Sequence, residues 1–294
     1  MTTALPGGSA DGGPTVLRML LGAHLRRLRE AQGVNRDAAG WEIRASESKI
    51  SRMELGRVGF KERDVADLLT LYGVTDVDER EGLLEMARRS NTPGWWHRDG
   101  DILPSWFQSY LGLEASASLI RSYELQFVHG LLQTADYARA VINLGHGTAP
   151  PEELDRRVAL RIKRQEVLAK GDALLWVVID EGVLQRPIGG VDVMRDQIQS
   201  LIDATKQPNI RIQIMPFRAG GHAAAGGQYT ILRFPEQDLP DAVYIENLTS
   251  ALYIEKPDDV DLYIAAMDRL CIEADQPDQA AKFLTGVLRG YGRK

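Results

Sequence analysis

The stretch Ser46-Glu47-Ser48-Lys49-Ile50-Ser51-Arg52-Met53-Glu54-Leu55-Gly56 constrains this chain most. Ser46 can cap a helix, because its hydroxyl accepts a backbone N–H that the first turn leaves unpaired. Ile50 and Met53, three apart, give with Leu55 an apolar side, and Gly56 stands where such a helix stops. Glu47, Ser48, Ser51 and Arg52 then point outward. These short hydrogen-bonding groups, an acid and a planar cation suit base edges and phosphates. Taken alone, the eleven residues also describe an ordinary amphipathic surface helix; what precedes them separates the two readings. Asn35 can cap a short helix from Arg36 to Ile43, Gly40 is small enough for a close helix crossing, and Arg44-Ala45 leave only a tight connection. Two short helices so joined are a helix-turn-helix.

The flanking pattern completes a domain. Leu17, Leu20, Leu21, Leu25 and Leu28 predict a helix over 16–32 that ends at Gly33, with His24 read as a packing residue among the leucines. Leu68, Leu69 and Leu71 mark a fourth helix from Lys61 to Tyr72, closed by Gly73, and 78–90 reads as a fifth. An all-α five-helix domain is therefore expected over 16–90, after a Gly- and Ser-rich tail over 1–15 expected to be disordered. Charge is asymmetric. Arg18 to Arg63 hold eleven Lys/Arg against six Asp/Glu, or +5, which leaves −11 for the rest of a chain whose net charge is −6. A basic module on an acidic body fits a DNA reader joined to something else.

The run LRRLREAQGVNRDAAGWEIRASESKISRMELGR resembles the Xre-family, Cro/cI-type helix-turn-helix, through Leu25, Leu28, Arg29, Gly33, Gly40, Ile43, Ser46 and Ile50 to Glu54 with Gly56. It departs where Arg36 replaces the family's usual glutamine and Arg44 a frequent glycine. The resemblance implies a DNA-binding helix that Ser46 opens, with Glu47 and Ser48 at base edges and Ser51 at phosphate. Arg36, Lys49, Arg52 and Arg57 would supply phosphate contacts or guanine readout. The partner is then double-stranded DNA, read as an inverted repeat by a homodimer.

Residues 91–113 read as a junction between domains. They hold Pro93-Gly94 and a cluster of aromatics, Trp95, Trp96, Trp106, Phe107 and Tyr110, which either cage a ligand or pack the linker. Packing is the favoured reading. Beyond them, helices are expected at 113–118, 134–143 and 151–170, with a strand inside 119–128. Leu174 to Ile179 is a continuous apolar run, as in a buried strand. A helix over 191–205, a strand over 210–215, three antiparallel strands at 229–234, 242–246 and 251–255, and two closing helices follow. The fold class is thus multidomain α and α/β, with the α/β domain over 114–294 carrying a mixed sheet. From Pro93 onward the motifs HGLLQTADYARAV, RIKRQEVLAKGDALLWVVIDEGVLQR, GGVDVMRDQIQSLI, NIRIQIMPFRAGGH and DAVYIENL resemble the uncharacterised C-terminal domain of actinobacterial WhiJ-like regulators, with His129 where that family commonly has proline.

Chemistry is sparse. The five histidines lack paired zinc spacing, the single Cys271 permits neither an intrachain disulfide nor a Cys-based cluster, and no nucleophile elbow or phosphate loop is present. No enzymatic activity, metal or cofactor is expected. The weaker ligand candidates are Trp95, Trp96, Trp106, Glu181, Arg186 and His222. Glu181 and Arg186 more simply form an ion pair, Asp180 or Glu181 a helix cap, and the Gly-rich loop 219–227 a mobile hairpin or lid. No apolar run reaches membrane-spanning length and no secretory signal is read at the N-terminus, so a cytoplasmic protein is expected. Two functions remain. One is a transcriptional regulator whose C-terminal domain senses a small-molecule effector, docks a partner or dimerises. The other is an antitoxin-like module that holds a small partner protein and autoregulates.

Overall fold

Caps and leucine spacing build the first helices where the pattern places them. α1 spans Pro14–Ala31, α2 Arg36–Glu42, α3 Glu47–Glu54, α4 Glu62–Leu71 and α5 Val77–Ser90. Asn35 Oδ1 accepts from Ala38 N (2.8 Å) and Ser46 Oγ from Lys49 N (3.2 Å), each satisfying a donor of the first turn. α1 opens at Pro14, earlier than expected, since proline's fixed φ and missing N–H suit a first helical position. The computed structural model describes residues 13–171, 173–224, 226–236 and 239–292; most of the expected tail, 1–12, lies outside them. The chain divides into two compact units, one holding the described residues of 1–98 with 111–116 and 236–239, the other 99–110, 117–235 and 240–294.

In the first unit, Leu21, Leu25, Ile43, Ile50, Met53, Phe60, Leu68, Leu69 and Leu83 form one buried core. Two glycines allow α1 and α3 to meet at backbone distance. A Cβ on Gly22 would stand 2.4 Å from the Met53 carbonyl, and one on Gly56, at φ +64°, 2.7 Å from the Met19 backbone. His24 is half-buried with its ring 3.7 Å from Glu79, a packing position as expected.

The aromatic segment is largely helical. A 3-10 turn covers Trp95–Asp99, and α6 covers Ser105–Glu114, not 113–118 as expected. Pro104's carbonyl accepts from Phe107 N (3.0 Å) to start α6 early, and helical spacing stacks Phe107 on Tyr110 at 5.7 Å. The helix cannot run to 118, because Ser118 N already bonds the Arg233 carbonyl at the entry to the sheet.

The second unit is built on one mixed six-stranded sheet. Its elements are β1 (Leu119–Glu124), α7 (Ala135–His146), α8 (Pro151–Arg164), α9 (Glu166–Ala169), β2 (Leu174–Asp180), α10 (Glu181–Gln185), α11 (Val191–Ala204), β3 (Ile210–Met215), β4 (Tyr229–Arg233), β5 (Ala242–Glu246), β6 (Ala251–Ile254), α12 (Pro257–Glu273) and α13 (Pro277–Gly290). The strand order is β3-β2-β1-β4-β5-β6. β1, β2 and β3 are parallel, joined by helical crossovers; β4, β5 and β6 continue from β1 as an antiparallel meander. The single helix expected over 151–170 breaks at Gln165, whose side chain turns back to donate to the Gln133 carbonyl (2.7 Å). Strand alternation splits the sheet into two faces. Tyr123, Tyr229, Ile231 and Val243 pack with Met267 and Leu270 of α12, while Ser122, Thr230 and Tyr244 point to the other side. Among the described residues no helix is long and apolar enough to cross a membrane.

Candidate nucleic-acid interface

α3 is held from behind by charge as well as by apolar packing. Glu54, only 6% exposed, accepts from Arg29 Nη2 (3.2 Å) and from Arg36 Nε (2.9 Å). Arg29 also donates to the Val34 carbonyl at the turn before α2 (2.8 Å). Its bond to Glu54 holds the Arg29 guanidinium's pKa above its ordinary value. One carboxylate thereby joins α1, α2 and α3, and removing such a buried partner costs more than any exposed pair contributes. At the other end Lys49 Nζ reaches Asp64 of α4 at 2.7 Å.

These bonds sort the expected contact residues into two groups. Arg36 and Lys49, each about a third exposed, spend a bond inside the domain. Ser46, Glu47, Ser48, Arg52 and Arg57 are exposed, and Ser51 is half-buried. Ser48 and Arg52 are one turn apart, and Arg52 Nε leans back on the Ser48 carbonyl (3.4 Å). The solvent side of α3 thus carries two hydroxyls and a carboxylate at its N-terminus and a guanidinium one turn on. That arrangement can donate to and accept from base edges while the cation reaches phosphate or guanine.

Two residues outside the expected contact set also face solvent here. Arg44 occupies the turn at φ +53°. Trp41, in the last turn of α2, is 82% exposed, and five positions from Arg36 it lies on a different face of that helix. The only signal in the sequence was a tryptophan off the apolar stripe.

The weaker ligand candidates do not converge. Trp95 and Trp96 contact each other edge to face at 5.7 Å, with Trp96 buried. Trp106 borders a cavity of the second unit that Glu181, Arg186 and His222 do not line. The expected Glu181–Arg186 ion pair does not form. Glu181 accepts from Phe217 N (2.8 Å), which turns it toward the end of β3, and Arg186 reaches the Leu125 carbonyl (3.5 Å). Asp180 caps α10 by accepting from Gly182 N (2.8 Å). His222 pins the Gly-rich loop: its Nδ1 accepts from Ala224 N (3.3 Å), and its Nε2 meets the Tyr123 hydroxyl at 2.8 Å. Burial then pushes the Tyr123 phenol's pKa upward. Burial likewise raises the pKa of the Cys271 thiol, away from thiolate chemistry.

Two family models match the chain. One, described as a helix-turn-helix domain, covers residues 20–83, the stretch from within α1 to within α5. The other, described as a domain of unknown function (DUF5753), covers 107–286. No curated protein and no solved structure matches.

Proposed function

The chain belongs to the DUF5753 family with a helix-turn-helix domain ahead of it, and on that premise we propose that it is a sequence-specific, non-enzymatic transcriptional regulator of the Xre type. A homodimer would read an inverted repeat, and the α/β unit would sense a small molecule that sets DNA affinity. The observation that carries this is α3: capped by Ser46, tied behind by Glu54 and Lys49, and bare on the side that holds Ser46, Glu47, Ser48 and Arg52. A rigid helix with polar tips suits direct readout in a major groove, and two copies spaced by one DNA turn supply the specificity one short helix lacks. Selection of the full-length protein against a random duplex pool at near-physiological salt is expected to enrich an inverted repeat. On that site Arg52→Ala is expected to cost ~1–3 kcal/mol of binding free energy with the fold intact. Unchanged affinity removes Arg52 from the interface, and a folded protein that enriches nothing removes unaided sequence-specific reading.

A second reading is the antitoxin-like module that holds a small partner protein. It is favoured by Leu252, Leu262 and Ile272 on the α/β unit, each more than half exposed. Stoichiometric co-elution with the product of an adjacent small gene would support it; a lone homodimer in every co-expression would remove it.

A further inference from the structure

A cavity of about 420 Å³ opens on the face of the sheet opposite α12, a size typical of small-molecule sites. Its floor is made by strand register. Ser122, Thr230 and Tyr244 pair across β1, β4 and β5, and Glu124 and Glu246 follow two residues further along β1 and β5 on the same face. Each acid is held by its strand neighbour: Ser122 Oγ donates to Glu124 (2.6 Å) and the Tyr244 hydroxyl to Glu246 (2.9 Å). Glu124 feels the charge of Glu246 and, in the opposite sense, that of Arg164, and among the described residues neither acid has a cation within ion-pair distance.

The cations that border the cavity have bonds or ring contacts of their own, and Arg164 also lends its charge to Glu124. Arg157 is bonded to Glu153 (2.7 Å), Arg161 to Gln133 (3.0 Å), and Arg164 lies over the rings of Phe107 and Tyr110 at 5.2 and 5.6 Å. The aromatic wall continues from Phe107 and Tyr110 to Tyr244, 4.2 Å from Tyr110 between ring centres. At the mouth Leu248 is 98% exposed, so the space is open to solvent. The site therefore sets two acids that no cation approaches to ion-pair distance beside the aromatic wall of Phe107, Tyr110 and Tyr244, whose rings suit a cation and its apolar body.

We infer that this cavity binds a small organic amine, its ammonium seated between Glu124 and Glu246 and its apolar or aromatic body against Phe107, Tyr110 and Tyr244. The inference deepens the sensing role proposed for the α/β unit and names the effector's class; the site itself stands apart from DNA binding.

The test uses the full-length protein and titration calorimetry. The probes are tryptamine and phenethylamine, each beside the alcohol of the same shape, tryptophol and phenethyl alcohol. At least one amine is expected to bind saturably, and at least tenfold more tightly than its alcohol. Glu124→Gln and Glu246→Gln should each weaken that amine at least tenfold, whereas Glu152→Gln on the exposed side of α8 should leave it unchanged. Circular dichroism identifies a variant that has lost its fold; the other variant and the amine-to-alcohol ratio then decide. Neither amine binding, alcohols binding equally, or both folded glutamine variants keeping parental affinity would each overturn the inference. An amine that binds without altering affinity for the selected DNA site supports the cavity and removes its sensing role. A failed DNA selection leaves the calorimetry standing.

Discussion

Arg44 holds its backbone at φ +53° in the turn between α2 and α3, a conformation that costs a residue with a Cβ about 1 kcal/mol. Replacing Arg44 by glycine is expected to stabilise the helix-turn-helix unit by ~0.5–1 kcal/mol, less whatever freedom glycine adds to the unfolded chain. Urea unfolding of the variant would show it, and a lower midpoint would mean that the arginine side chain makes a contact worth more than the strain. Glu124 gives a second test at this scale. Burial first, and then the charge of Glu246, push its pKa from 4.5 up to about 7, against the opposing bond from Ser122 and the charge of Arg164. The folded protein then holds a proton that the unfolded chain releases between those two values. Stability falls as pH rises through that window, and the cost is complete above it. Glu124→Gln is therefore expected to be more stable than the parent by ~1–3 kcal/mol at pH 8, with the difference gone at pH 4. Equal unfolding midpoints at both pH values would mean that the carboxyl titrates as it does in solvent.

For single elements, the sequence was most readable where a cap and a stop bracket a short apolar period. α2 and α3 fall where Asn35, Ser46 and Gly56 place them, and the Ser46 cap can be tested directly. Ser46→Ala is expected to lose ~0.5–2 kcal/mol of stability, whereas Ser46→Asn should keep it; a parental melting curve for alanine would show that tertiary packing alone sets the start of α3. α6 was less readable, because its aromatics at 106, 107 and 110 resemble a packed linker until Phe107 and Tyr110 are seen stacked along one helix face. Side-chain commitments were harder still. That Lys49 bonds Asp64 and Arg36 bonds Glu54 depends on how α2, α3 and α4 cross, which helical periodicity does not encode. The opposite error occurred at Glu181 and Arg186: five residues apart in sequence suggested a pair, and the turn from β2 into α10 sends them to different partners.

In the whole molecule, charge asymmetry already set a basic stretch over 18–63 against an acidic remainder, and the sheet's mixed character followed from continuous apolar strands giving way to alternating ones. The cavity was invisible in the sequence. Glu124 and Glu246 lie on strands separated by most of the domain's length, and only the β1-β4-β5 register sets them on one face. Hydroxyl-to-acid spacing of two, Ser122 to Glu124 and Tyr244 to Glu246, was the one trace it left. The internal bonds of α3 have a consequence of another kind. Because Glu54 and Lys49 do the anchoring, the exposed positions 46, 47, 48 and 52 carry little of the packing, and changes at exposed positions beyond the cap itself usually move stability by no more than about 0.5 kcal/mol. If those positions read DNA as proposed, duplicated copies of such a chain can therefore diverge in the DNA words they recognise at almost no risk to folding, and a designer can rewrite those words on the same scaffold.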